Sequence, residues 1–474
     1  MNIATKRILA TVFLASFLSA HAGAATSITY TVGNWQITAT DLGLLPGGSA
    51  SSAQAINNRG EISGMANDSS WAFHWPIWDA NTGVIIGMAD SSDAFSTPIP
   101  EHRNDRGEMA GTDCIGGCGR LYRGVYWNSA GQAFELPAFA GTDPLYGHVH
   151  AKAHGINNLG QVVGGAQDGT LAHPMHAVLW QNKDSPPLDL GFLGRGAYVD
   201  YSEAFGINDF GHVVGNGALG TLTRGFLWRG GRMIDLGALS GQVVSEARAV
   251  NNTGLIVGKS NFYPVTWKYE VANLNSTPSI QQLPIPSEFP SAQPSAVNDS
   301  GDVAGHAGSP NIDSHAILWR NREAIDLGIW PGGHYSVATG INNIGQIVGT
   351  GTVAGDNLDH ALMWTVAAAG SGGGVVTPNK TPVASLQATS STSIRPGNSV
   401  SVQASFADPD NGPWSYSLLW GDGSATKGNI ANAGAISGIS PHVYRKTGTF
   451  KSKLTVTDSK GAAGSSSTIT IRVR

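Results

Sequence analysis

A five-residue phrase recurs seven times along this chain, and its spacing limits the available folds more than any other feature. The copies are Ile56-Asn57-Asn58-Arg59-Gly60, Arg103-Asn104-Asp105-Arg106-Gly107, Ile156-Asn157-Asn158-Leu159-Gly160, Ile207-Asn208-Asp209-Phe210-Gly211, Val250-Asn251-Asn252-Thr253-Gly254, Val297-Asn298-Asp299-Ser300-Gly301 and Ile341-Asn342-Asn343-Ile344-Gly345. Successive leading asparagines stand 47, 53, 51, 43, 47 and 44 residues apart. A period near these values that tolerates changes in length belongs to a four-stranded propeller blade, not to a helical solenoid.

The order inside a copy is constant and clearest in the fourth: 204–208, the turn Asn208-Asp209-Phe210-Gly211, the β-branched pair Val213 and Val214, then Gly225-Phe226-Leu227-Trp228, then 233–237. Asn opens such a turn, and Gly closes it in a left-handed conformation that costs other residues more. Four strands per copy follow, joined as a meander. Each copy has one tryptophan in its third strand, Trp78, Trp127, Trp180, Trp228, Trp267, Trp319 and Trp364. A large ring recurring once per copy is expected as a structural wedge in the core between neighbouring sheets.

The fourth strand reads Asp189-Leu190-Gly191, Asp235-Leu236-Gly237 and Asp326-Leu327-Gly328, with weaker forms at 84–87, 135–137 and 282–284. Trp364 has no such segment after it. The missing copy lies at the other end, as Asp41-Leu42-Gly43. An N-terminal strand donated to the last sheet would remove the open edges of an unclosed array. The expected fold is therefore all-β, a seven-bladed β-propeller over 26–366 closed by an N-terminal strand.

The recurring Ala-x-x-Ile-Asn-Asn-x-Gly-x-Val-Val-Gly pattern, followed by His-Ala-hydrophobic segments at His176-Ala177-Val178, His315-Ala316-Ile317 and His360-Ala361-Leu362 and by Asp-Leu-Gly, resembles the HAF family of extracellular repeats. The resemblance covers residues from about 36 to 366 and implies bacterial secretion, with no established activity. Copies two and five depart most: Arg103 replaces an aliphatic residue, and Tyr263-Pro264-Val265 replaces His-Ala-Phe.

After the glycine-rich linker at 367–379 the composition changes. Trp420-Gly421-Asp422-Gly423-Ser424, His442-Val443-Tyr444, Gly448-Thr449-Phe450 and Leu454-Thr455-Val456-Thr457-Asp458 together resemble the PKD domain, an immunoglobulin-like β-sandwich, over 380–474. Some members hold calcium through carboxylates near one end. The matching positions are Asn379, Asp408, Asp410 and Asp458, and oxygen ligands of this kind suit Ca2+. No other cofactor is expected.

Residues 1–24 read as a signal peptide: Lys6 and Arg7, an apolar run at 8–18, then Ala22-Gly23-Ala24 or Ala20-His21-Ala22 as the cleavage signature. That run is too short to span a bilayer, so the mature chain is expected to be secreted or periplasmic, monomeric and without membrane insertion. Cys114 and Cys118, separated by Ile-Gly-Gly, suit a small disulfide loop in an oxidising compartment. Charged residues make up 13% of the chain, with a net charge of -5 and no Lys/Arg-rich run, which argues against nucleic acid as a partner.

Loops joining second to third strands, and fourth to next first strands, vary most in length and are the expected ligand face. There Tyr146, His148, His150 and His154, with Tyr198, Tyr201, Trp330, His334 and Tyr335, offer imidazoles and amphipathic rings. An extracellular polysaccharide or protein is the expected ligand. No nucleophile elbow or HExxH helix is present, so a binding or adhesion protein leads. A carbohydrate-active hydrolase or lyase is the alternative, with Asp200, Glu203, Asp356 and Asp359 as conceivable acids and no catalytic residue assigned.

Overall fold

The computed structural model describes residues 25–89, 99–115, 121–139, 150–167, 175–194, 200–273, 275–309, 312–353, 358–369, 382–407, 414–430, 434–436, 438–458 and 463–474. The described residues contain strands and turns and no helix. The chain divides into two compact units at Ser371/Gly372.

The first unit holds seven antiparallel sheets. In the first, Ser51–Ile56, Glu61–Asn67, Phe73–Asp79 and Ile85–Ala89 pair in sequence order, and five further sheets repeat this four-strand meander. The seventh has three strands from its own repeat, Ser336–Ile341, Ile347–Thr352 and Asp359–Ala368. Its fourth comes from the N-terminus: Trp35–Asp41 runs antiparallel to Asp359–Ala368, with Ala39 opposite Trp364 and Asp41 opposite Leu362. Thr26–Val32 folds back on Trp35–Asp41 as a fifth, outermost strand, which the repeat spacing does not anticipate.

The recurring turn has a stronger physical cause than hairpin preference. In the third copy, Asn157 Oδ1 accepts the backbone N–H groups of Leu159 (3.0 Å) and Gln161 (3.0 Å), capping the turn. Gly160, at φ +80°, then takes the left-handed position that closes it. The Nδ2 group of the same asparagine crosses to the next repeat and donates to the Asn208 carbonyl at 3.0 Å. All seven leading asparagines repeat this crossing: Asn57 to Asn104, Asn104 to Asn157, Asn208 to Asn251, Asn251 to Asn298, Asn298 to Asn342, and Asn342 back to Asn57.

Each tryptophan sits at one register position, opposite a single apolar residue of the second strand, as in Val162 opposite Trp180 and Ile347 opposite Trp364. The rings pack against the preceding repeat: Trp180 with Tyr126 and Leu136, Trp267 with Val214 and Leu227, and Trp78 with Val348 and Met363 of the seventh. Six are buried, as a wedge requires, whereas Trp228 is only half-buried. Its neighbour Arg229 is instead 2% exposed, donating to the Glu270 and Ser276 carbonyls.

The histidines of the His-Ala segments also have a structural partner. His360 Nδ1 lies 2.9 Å from Asp41, His176 Nδ1 2.9 Å from Asp189, and His315 Nδ1 2.8 Å from Asp326. The other carboxylate oxygen of each Asp accepts the N–H of the following Gly, at Gly43, Gly191 and Gly328. In the fourth repeat Arg224 takes the histidine's place against Asp235.

The second unit has its own apolar core of Trp420, Tyr444, Leu454 and Val456 between two principal sheets. Asp422 of the Gly-Asp-Gly turn bonds Nε2 of His442 at 2.7 Å, and that imidazole stacks on Trp420 at an interplanar angle of 12°.

Candidate functional site

Two rings of side chains lie along the seven first strands. The outer one follows directly from the turn phrase. The second residue of each copy, Asn58, Asp105, Asn158, Asp209, Asn252, Asp299 or Asn343, accepts the backbone N–H of the preceding copy's second residue, as in Asn158 to Asp209 at 2.8 Å and Asn343 to Asn58 at 2.7 Å. Amides and carboxylates alternate, so Asp209 Oδ2 accepts from Asn158 on one side and Asn252 on the other. Seven is odd, and the alternation breaks once, where Asn343 meets Asn58. Burial raises the Asp105 carboxyl above its ordinary range despite the hydrogen bonds from Asn58. This girdle surrounds a cavity of about 160 Å3. Its carboxylates are each bonded by neighbouring amides, so it serves as an interlock and not as a set of open ligands.

The inner ring is carried by a β-bulge. All seven first strands shift register around the residue three positions before the leading asparagine: Gln54, Glu101, His154, Phe205, Arg248, Ser295 and Thr339. A bulge re-aims a side chain out of the ladder. All seven of these residues are half-buried. Several touch the equivalent residue of the next repeat: Glu101 bonds His154, His154 lies 5.0 Å from Phe205 between ring centroids, and the Arg248 guanidinium sits 4.9 Å over Phe205. The scaffold positions on either side repeat, and these do not.

Charge is confined to one arc. His154 Nδ1 lies 2.7 Å from Glu101 and its Nε2 lies 2.9 Å from Glu203. Tyr201 donates to Glu203 at 2.8 Å, and Lys152 Nζ lies 3.7 Å from it. Burial alone would depress the His154 imidazole, but the two carboxylates carry it up to about 9. Burial would raise Glu203, yet the His154 hydrogen bond and charge, with Lys152, bring it down to about 2. His154 is therefore an imidazolium shared by two carboxylates. Both glutamates are hydrogen-bonded to this one imidazole.

The expected ligand residues divide accordingly. His154 lies within the strand Ala151–Ile156 and not on a loop, a correction to the expected loop cluster: the repeat's first strand begins at Ala151, three residues before it. His150 precedes that strand, near Tyr122. Tyr201 meets the arc through Glu203. Tyr335 is buried and donates to Asp359, so it packs its loop instead of presenting a ring, and Asp359 is committed to it. Trp330 packs beside the core of the sixth and seventh repeats, and the backbone N–H of His334 donates to Thr352. Asp200 precedes the strand Ser202–Ile207. Tyr146, His148, Tyr198 and Asp356 lie outside the described residues, as does Cys118; Cys114 belongs to the strand Met109–Ile115, and no disulfide occurs among the described residues. Apart from His154, the bulge residues escaped sequence reasoning, although their signal was available: one position per copy where seven different side chains stand at fixed distance from the leading asparagine.

Residues 379–473 match the PKD domain family. The C-terminal unit is a PKD domain. Among solved structures, the chain is similar to the PKD domain of an M14-like peptidase from Thermoplasmatales archaeon SCGC AB-540-F20, at 20% identity over 20% of this chain and 97% of that one, with a TM-score of 0.18. A comparison with curated proteins finds no match. In the PKD domain, Asp458 ends the strand Gly448–Asp458 opposite Trp414 and is buried, while Asn379, Asp408 and Asp410 lie outside the described residues. Among the described residues no cluster of three or more His, Cys, Asp or Glu side chains could hold a metal ion. No helix among them is long and apolar enough to cross a membrane.

Proposed function

We propose that this chain is a secreted, non-enzymatic binding protein: a closed seven-bladed β-propeller of HAF-type repeats that presents a ligand surface, with the PKD domain as spacer or second contact. The closed ring is supported by the asparagine crossings that return from Asn342 to Asn57 and by the pairing of Trp35–Asp41 with Asp359–Ala368. The observation that carries the binding reading is the bulge series. Where the residue just before is always Ala or Pro and the residue just after is Ala or Gly in all copies but the second, Gln54, Glu101, His154, Phe205, Arg248, Ser295 and Thr339 differ in all seven copies and remain half-open to solvent. Side chains released from scaffold duty on a rigid frame are where recognition is expected.

The address is argued from Lys6, Arg7 and the apolar run that follows. In that compartment Cys114 and Cys118 would form a clamp beside the second repeat, and Asn379, Asp408, Asp410 and Asp458 would be the calcium positions of the PKD domain. Glycan and protein arrays probed with the mature chain, with and without Ca2+, test the reading. Saturable binding that is lost on substituting the bulge residues is expected. Hydrolysis of a bound polymer, with products accumulating over time, would replace this reading with the enzymatic one.

A further inference from the structure

Resting on the binding reading above, we infer that the arc formed by the fourth to sixth repeats takes the anionic group of an acidic saccharide, held by Arg248 and Lys259. The carboxylates of the arc and of the repeats beside it are engaged: Glu101 and Glu203 by His154, Glu203 also by Tyr201, and Glu246 by Lys259 at 3.2 Å. The cations are not used up to the same degree. Arg248 reaches Glu246 only at 3.6 Å, its side chain is 36% exposed, and its Nε is buried without a hydrogen-bond partner. Phe205 beneath the guanidinium holds its plane in place, which preserves the two-pronged donor geometry that carboxylate and sulfate oxygens match. Lys259 is 28% exposed. Beside it His306 is 7% exposed, and its Nδ1 also has no hydrogen-bond partner.

The remainder of the inner ring points to a sugar as the bearer of that anion. Gln54 and Ser295 supply a neutral amide and a hydroxyl, which pair with sugar hydroxyls and offer no further charge to an acidic peptide.

Calorimetry on the mature full-length protein would compare a hexuronate oligomer, a neutral hexose oligomer of equal length and a poly-glutamate peptide. Uronate is expected to bind at least tenfold more tightly than the other two. Arg248→Gln and Lys259→Gln should each weaken it tenfold or more, with Arg248→Lys recovering part of the loss and circular dichroism unchanged. Equal binding of uronate and neutral hexose, or indifference to both substitutions, overturns the anion site while the binding reading stands. Preference for poly-glutamate overturns the saccharide. Failure of all three ligands removes the anion site and the interior binding surface together.

Discussion

Asn157 shows how much one amide does in this fold. Its carbonyl oxygen caps the local turn through two backbone N–H groups, and its Nδ2 ties the third repeat to the fourth. Asn157→Ala should cost about 2 to 4 kcal/mol in urea unfolding, because a buried turn and a buried carbonyl lose partners together. Asn157→Asp keeps the cap, loses the crossing donor, and should be destabilising too, since it brings a carboxylate against the Asn208 carbonyl. His154 gives a separate signature. Its folded pKa of about 9 lies above the unfolded value near 6.5, so its contribution is fully present below about pH 6.5 and fades as pH rises through 9, by about 3 kcal/mol. His306 has the opposite sign: burial, aided by Lys259, holds it down to about 4, so it penalises the folded state as pH falls from 6.5 to 4. The thermal midpoint should therefore drop between pH 6.5 and 9 in the natural protein, and His154→Gln should flatten that limb. An unchanged slope would show that the imidazole is neutral between its glutamates.

At the scale of strands, the turn phrase and the Asp-Leu-Gly segments were legible because turns and short β-branched strands are local. The displaced Asp-Leu-Gly near the N-terminus marked a donated strand, and the pairing of Asp41 with Leu362 places it against the seventh sheet. The bulges were not legible. A bulge depends on how the second strand registers against the first, as in the shift between Ala153 and Gly155, and alternation along one strand does not reveal that. The extra strand Thr26–Val32 was missed for a related reason: it belongs to no repeat, and its inward residues Ile28, Tyr30 and Val32 gain their apolar cover from the core around Trp364. Deleting 26–41 would strip both strands from the seventh sheet and expose the edge of Asp359–Ala368. A fall of about 10 °C or more in the thermal midpoint, with aggregation, is expected. A midpoint within about 1 °C of the natural chain would mean that the seventh sheet is stable with three strands.

For the whole molecule, the division at Ser371/Gly372 predicts two thermal transitions in calorimetry. A single cooperative transition would contradict independent units. The sequence by itself determined the all-β class, the seven repeats, the tryptophan positions and the PKD domain, because each rests on local turn chemistry or on an ordered set of short motifs. Tertiary structure alone decided which side chains meet. Glu101, His154 and Glu203 come from three different repeats, separated by 53 and 49 residues, and only stacked sheets bring them to one imidazole. Local chain preference fixes how each repeat folds, but the field at its first strand is set by charges supplied by its neighbours.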